Sequence, residues 1–136
     1  MKITVETVVR ADLSKVWNAW NNPEDIQQWN SASDDWHTPR STVDLREGGK
    51  FVARMESKDG AEGFDFEGTY TRVEPRKLIE YRMSDGRECK VEFAERTGGV
   101  LVKETFDAET MNTPELQRQG WQSILESFAR HVEKSA

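Results

Sequence analysis

The chain has 136 residues, 35% of them hydrophobic and 32% charged, with 19 basic against 25 acidic side chains and a net charge of −6. That length implies one hydrophobic core and a single domain over residues 1–136, and the acidic balance, with no Lys/Arg run, argues against nucleic acid, whose backbone is bound by neutralising phosphates. The only cysteine, Cys89, rules out an intramolecular disulfide and any zinc cage built on two or more thiolates.

At the N-terminus, Met1-Lys2-Ile3-Thr4-Val5-Glu6 meets charge too soon for the core of a signal peptide. No stretch approaches the ~20 apolar residues that span a bilayer, so a soluble, cytoplasmic protein with no membrane partner is expected. Ile3, Val5 and Val9 recur at period two, the pattern of a half-buried first strand. Asp12 offers a capping oxygen, and Leu13, Val16, Trp17 and Trp20 follow on one helical face. Asn22-Pro23-Glu24-Asp25 starts a second short helix: Asn caps, Pro occupies the first turn, and the acids suit the positive dipole end. Ile26 and Trp29 face inward from it.

Ser33-Asp34-Asp35-Trp36-His37 reads as a loop whose acids accept backbone N–H bonds, with Trp36 packed at the mouth of a sheet. Asp34, Asp35 and His37 resemble metal ligands in composition only, since no second histidine is near in sequence, and no metal is expected. From residue 41 to 107 the chain reads as an antiparallel meander, broken at Gly48-Gly49, Asp59-Gly60, Glu74-Pro75, Asp85-Gly86 and Gly98-Gly99. Its inward set is Phe51, Ala53 and Met55, then Phe64, Phe66, Gly68 and Tyr70, then Ile79, Tyr81 and Met83. Cys89, Val91 and Phe93, then Val100, Val102 and Phe106, complete it. Charged residues occupy the other face, so one side of the sheet is wet and the other covered. Cys89 shares its face with Val91 and Phe93 and reads as a buried structural thiol.

The cover is a C-terminal helix capped by Thr113, started by Pro114 and running toward Lys134, with Leu116, Gly120, Trp121, Ile124, Leu125, Phe128 and Val132 on its inner arc. Gln117 points the same way, His131 lies on the shoulder of the arc, and Gly120 sits mid-helix, where glycine costs ~1 kcal/mol relative to alanine. Leu, Ile, Val and Phe make up only about a fifth of the chain, near the level at which chains stay disordered. Five Trp and two Tyr restore a core, because each large ring buries ~150–250 Å².

A strand, two short helices, a meander and a long last helix is the element order of the helix-grip fold of the START-like, or SRPBCC, superfamily. This is an α+β fold, with an antiparallel curved sheet wrapped on the C-terminal helix and the two short helices after the first strand. Within it, Ser33-Asp34-Asp35-Trp36-His37, Asp44-Leu45-Arg46-Glu47-Gly48-Gly49-Lys50-Phe51, Gly63-Phe64-Asp65-Phe66-Glu67-Gly68-Thr69-Tyr70 and Gln117-Arg118-Gln119-Gly120-Trp121 resemble the family related to the C-terminal domain of the activator of the heat-shock-protein-90 ATPase. The resemblance covers nearly the whole chain. It implies a binding module for a small hydrophobic molecule held between sheet and helix, with no built-in cofactor. Its first alternative is a chaperone-interacting protein that stimulates the heat-shock-protein-90 ATPase. The activator couples this type of domain to a separate N-terminal domain for which this chain has no room, so weak or absent stimulation is expected. A cavity enzyme of the polyketide cyclase type is the second alternative. No phosphate loop, Ser-His-Asp order, Cys-His pair or paired carboxylates appear, and no catalytic residue is assigned.

The expected ligand cavity is lined by Phe51, Phe66, Tyr81, Gln117 and Ile124, with Gly120 and Glu104 as the two positions that decide it. Gly120 marks either a void under the helix or close packing of helix on sheet. Glu104 continues the inward register of Val100, Val102 and Phe106, which places a carboxylate under the helix. The competing reading, a strand-end glutamate that reaches solvent, is favoured because an unpaired buried acid is costly. Trp29 and Trp36 fit either a cavity entrance or plain packing, with packing favoured in so aromatic a core.

Overall fold

Residues 1–134 are described by a computed structural model in the order β1 (Lys2–Val9), α1 (Leu13–Asn21), α2 (Pro23–Trp29), β2 (Trp36–Val43), β3 (Lys50–Ser57), β4 (Gly63–Glu74), β5 (Leu78–Met83), β6 (Glu88–Arg96), β7 (Gly99–Asp107) and α3 (Pro114–Lys134). The strands form one curled antiparallel sheet of order β1-β7-β6-β5-β4-β3-β2, the helix-grip arrangement. From β2 to β7 each strand pairs with its successor, and the connections fall at the five turn signals in the sequence. Gly48, at φ +85°, shows why glycine is needed there: side chains seldom adopt that conformation.

The helix caps follow from local chemistry. Asp12 Oδ1 accepts the Lys15 backbone N–H at 2.8 Å, Asn22 Oδ1 that of Glu24 at 3.3 Å, and Thr113 Oγ1 that of Leu116 at 3.1 Å. The concave face buries Ile3, Val5 and Val9 of β1, Val91 and Phe93 of β6, and Val100, Val102 and Phe106 of β7. Leu125, Phe128 and Val132 of α3 close over them.

Both sheet edges are blunted. Carbonyls on the open side of β1 accept from α3, with Arg118 Nη1 donating to Thr4 O at 2.9 Å and Gln122 Nε2 to Glu6 O at 3.1 Å. β2, the other edge, carries Pro39, which has no N–H to offer a further strand.

The structure corrects three local expectations. β2 begins at Trp36 rather than residue 41, so Trp36 and His37 pair with Ser57 and Glu56; Pro39 and the irregular register around it mask the alternation that would have revealed a strand. Leu116 is 55% exposed, because at 100° per residue it stands about 120° from Phe128, the centre of the buried arc. Phe64, at the start of β4, is 48% exposed at the open side of the concave face, and its ring packs on Trp36 with centroids 6.1 Å apart.

Candidate ligand cavity

A partly open cavity of about 210 Å³ lies between the concave face of the sheet, the α1–α2 pair and α3. Two aromatic groups wall it. On the sheet side, Phe51 lies 5.3 Å from Tyr70 and 4.8 Å from Tyr81, centroid to centroid, and Phe66 lies 6.1 Å from Trp121 of α3. Trp121 in turn stacks on Phe106 at 3.8 Å, which fixes its indole against β7. On the helical side, Trp20 and Trp29 face each other at 4.9 Å and both meet the Phe128 ring edge to face. Trp29 Nε1 donates to Ala19 O at 3.0 Å, so this buried indole has its polar atom satisfied and its faces free to pack.

Two glycine-bearing segments set the sheet-side wall. A Cβ on Gly68 would stand 2.8 Å from Phe51 Cε2 and 2.9 Å from Arg82 O. Only glycine at that position lets the Phe51 ring lie across β4. The Gly48-Gly49 turn brackets Tyr70, whose carbonyl accepts from Gly48 N at 2.8 Å and whose N–H donates to Gly49 O at 2.9 Å.

Polar atoms are few. Glu104 lies in β7 between Val5 and Val91, its register partners on the two neighbouring strands, and is 5% exposed. No described residue hydrogen-bonds its carboxyl, and burial alone pushes its pKa up to about 8. The competing reading, a side chain reaching solvent, is therefore corrected: β7 is an inner strand flanked by β1 and β6, and Glu104 faces the cavity at 5% exposure. Tyr81 and Cys89 face Glu104 from β5 and β6, and burial first, then neighbouring negative charge, pushes both well above their ordinary pKa values. A thiol held protonated in this way is no nucleophile, which agrees with Cys89 as a packing residue. Ser41 Oγ of β2 also lines the cavity, buried and without a hydrogen-bond partner.

Of the residues proposed from sequence, Phe51, Phe66, Tyr81, Glu104 and Ile124 meet in the lining. Gln117 and Gly120 do not. The Gln117 amide is taken up by the loop before α3, its Nε2 donating to Glu109 O at 3.1 Å and Asn112 O at 2.8 Å while its Oε1 accepts from Glu109 N at 2.9 Å. A Cβ on Gly120 would meet nothing within 4 Å beyond its own helix backbone, so close packing does not explain this glycine. Trp20, Trp29, Phe64, Tyr70 and Trp121 complete the aromatic wall; the inward registers already marked all five, but periodicity cannot separate a packed ring from one bordering a void. Nothing in the sequence singles out Ser41. Among the described residues no cluster of three metal-ligating side chains exists, and no helix is long and apolar enough to cross a membrane.

What this arrangement can do is bind. It offers apolar surface, the carboxyl of Glu104 with the Tyr81 hydroxyl and the Cys89 thiol facing it, and the buried, unpartnered hydroxyl of Ser41.

The sequence model of the family described as Activator of Hsp90 ATPase homolog 1-like protein matches residues 10–133. The chain is similar to the solution structure of an AHSA1-like protein from Aeromonas hydrophila, at 52% identity over 99% of this chain and 94% of that one, with a TM-score of 0.93. A protein from Cytophaga hutchinsonii shares 44% identity over 98% and 93% of the two chains, with a TM-score of 0.85. A protein from Nitrosomonas europaea, 18% identical over 100% and 96%, shares the fold at a TM-score of 0.84. No curated protein matches the chain.

Proposed function

The chain belongs to the family of Activator of Hsp90 ATPase homolog 1-like proteins, and from that premise we propose that it is a cytoplasmic binding module for a small hydrophobic molecule held between sheet and helices. The observation that carries this reading is the cavity of about 210 Å³ walled by Phe51, Phe66, Tyr70, Tyr81, Trp20, Trp29 and Trp121. An apolar cavity of about 150 Å³ already accommodates benzene, so this one has room for a ligand of one to two rings. Loss of packing around so large a void destabilises the empty protein, and a bound ligand restores those contacts. The test is native mass spectrometry of the protein purified from its own host, followed by displacement of a fluorescent hydrophobic probe. A co-purifying small molecule that competes with the probe supports the reading, and a cavity that takes up no probe refutes it.

A second reading, contact with a heat-shock-protein-90 type chaperone, is supported by the family match and by the exposed Arg46 in the 44–49 turn, whose guanidinium Nε donates to the Asp44 carboxylate at 2.9 Å. Its test is the chaperone's ATPase rate against increasing concentrations of this protein. Strong saturable stimulation that Arg46→Glu abolishes without unfolding the domain would make this reading primary.

A further inference from the structure

We propose that the cavity selects a small aromatic or alicyclic amine, bound as its ammonium ion with the nitrogen at Glu104 and the apolar body against the aromatic wall. This rests on the cavity being a ligand site and adds the chemical class of the ligand.

Three observations carry the assignment. Among the described residues Glu104 is the only ionisable acid or base in the lining apart from the tyrosines, and no described lysine, arginine or histidine lines the cavity to receive an anionic group. A carboxylate ligand would therefore meet a carboxyl of its own kind and no cation. Second, Glu104 is 5% exposed and no hydrogen bond from a described residue reaches its carboxyl, so the cavity holds acceptor capacity that its own chain leaves unused. Third, the wall is built of aromatic faces, and an ammonium group next to such faces and one carboxylate is held by cation–π attraction as well as ion pairing. The net charge of −6 acts in the same direction by raising the concentration of cations near the surface.

Proton balance is simple. At a pH well below 8 Glu104 carries its proton in the free cavity; when it enters the complex as a carboxylate that proton passes to solvent and the ligand keeps its own, so uptake of the amine releases close to one proton per site.

The experiment is calorimetric titration of the full chain with three probes of one shape, 1-naphthylmethylamine, 1-acetonaphthone and 1-naphthoate, and of Glu104→Gln with the first two. The amine is expected to bind about tenfold more tightly than the ketone, with the carboxylate weakest. Glu104→Gln is expected to lower amine affinity about tenfold and to leave the ketone within about twofold, which also shows that the variant's cavity is intact. Equal or tighter binding of the ketone or the carboxylate, or an unchanged amine affinity in Glu104→Gln, overturns the amine assignment while leaving the cavity a ligand site. Failure of all three probes to bind overturns the ligand site itself.

Discussion

His131 Nε2 lies 2.8 Å from Asp25 Oδ1, joining the last helix to the second across 106 positions of sequence. The pair is partly buried and spans the seam between α2 and α3, the two elements that hold Trp29 and Trp121 on opposite sides of the cavity. Asp25 also accepts from Asn22 Nδ2 at 2.9 Å, so one carboxylate serves both the start of α2 and its attachment to α3.

Asp25→Ala is expected to lower unfolding free energy by about 1–2 kcal/mol, more than an exposed ion pair is worth, because it removes a cap contact and an interhelix contact together. A double-mutant cycle with His131→Ala, followed by urea denaturation, separates the two. Additive effects would show that the 2.8 Å approach contributes nothing of its own.

Glu104 sets a pH dependence. Its pKa rises from 4.5 in the unfolded chain to about 8 in the folded one, so the folded state holds the proton more tightly. The stabilisation is fully present below pH 4.5 and is lost progressively as pH rises to about 8. At about 1.4 kcal/mol per pKa unit, the loss is on the order of several kcal/mol. Denaturation at a series of pH values should show this decline in the wild type and a flatter profile in Glu104→Gln, which stays neutral throughout and should be the more stable protein above pH 8. The opposite slope would mean that Glu104 is ionised in the folded state.

Gly68→Ala places a methyl 2.8 Å from the Phe51 ring and 2.9 Å from a backbone oxygen that cannot move aside easily. Overpacking of this kind costs about 1–3 kcal/mol. Because the displaced ring is part of the cavity wall, uptake of a hydrophobic probe should weaken together with stability. Loss of stability with unchanged probe binding would separate Phe51 from the ligand.

Gly120→Ala should do the reverse. The added methyl meets open space, and alanine is favoured over glycine in a helix interior by about 1 kcal/mol. A rise in melting temperature with unaltered probe binding is expected; a fall would mean that the space is needed.

Most of the fold was legible in the sequence: Asp12, Asn22-Pro23 and Thr113-Pro114 mark helix starts, and alternation between turns, four of the five Gly-bearing, marks the strands apart from the first half of β2. The cavity was legible in part. Phe51, Phe66, Tyr81 and Ile124 follow from the inward registers, and the burial of Glu104 follows from the same alternation once its strand is known to be an inner one. Gln117 misleads because helical position gives the direction of a side chain and not its partner, and its partners Glu109 and Asn112 belong to a loop with no periodicity at all. Gly120 misleads for a related reason: the absence of a side chain has the same appearance in sequence whether the space is filled by a neighbour or left open.

The pairing of β1 with β7 has a kinetic consequence. Strands β2 to β7 meet through short hairpins, whereas Ile3 pairs with Phe106 and closes a loop of nearly the whole chain. Non-local pairings form slowly, since closure entropy must be met before the contacts that reward it. Late docking of β1 is the expected order, with β7 an outer strand until then. Val5→Ala, at the register partner of Glu104, should accelerate unfolding in stopped-flow measurements and leave the refolding rate nearly unchanged. An equal effect on both rates would place β1 in the folding nucleus.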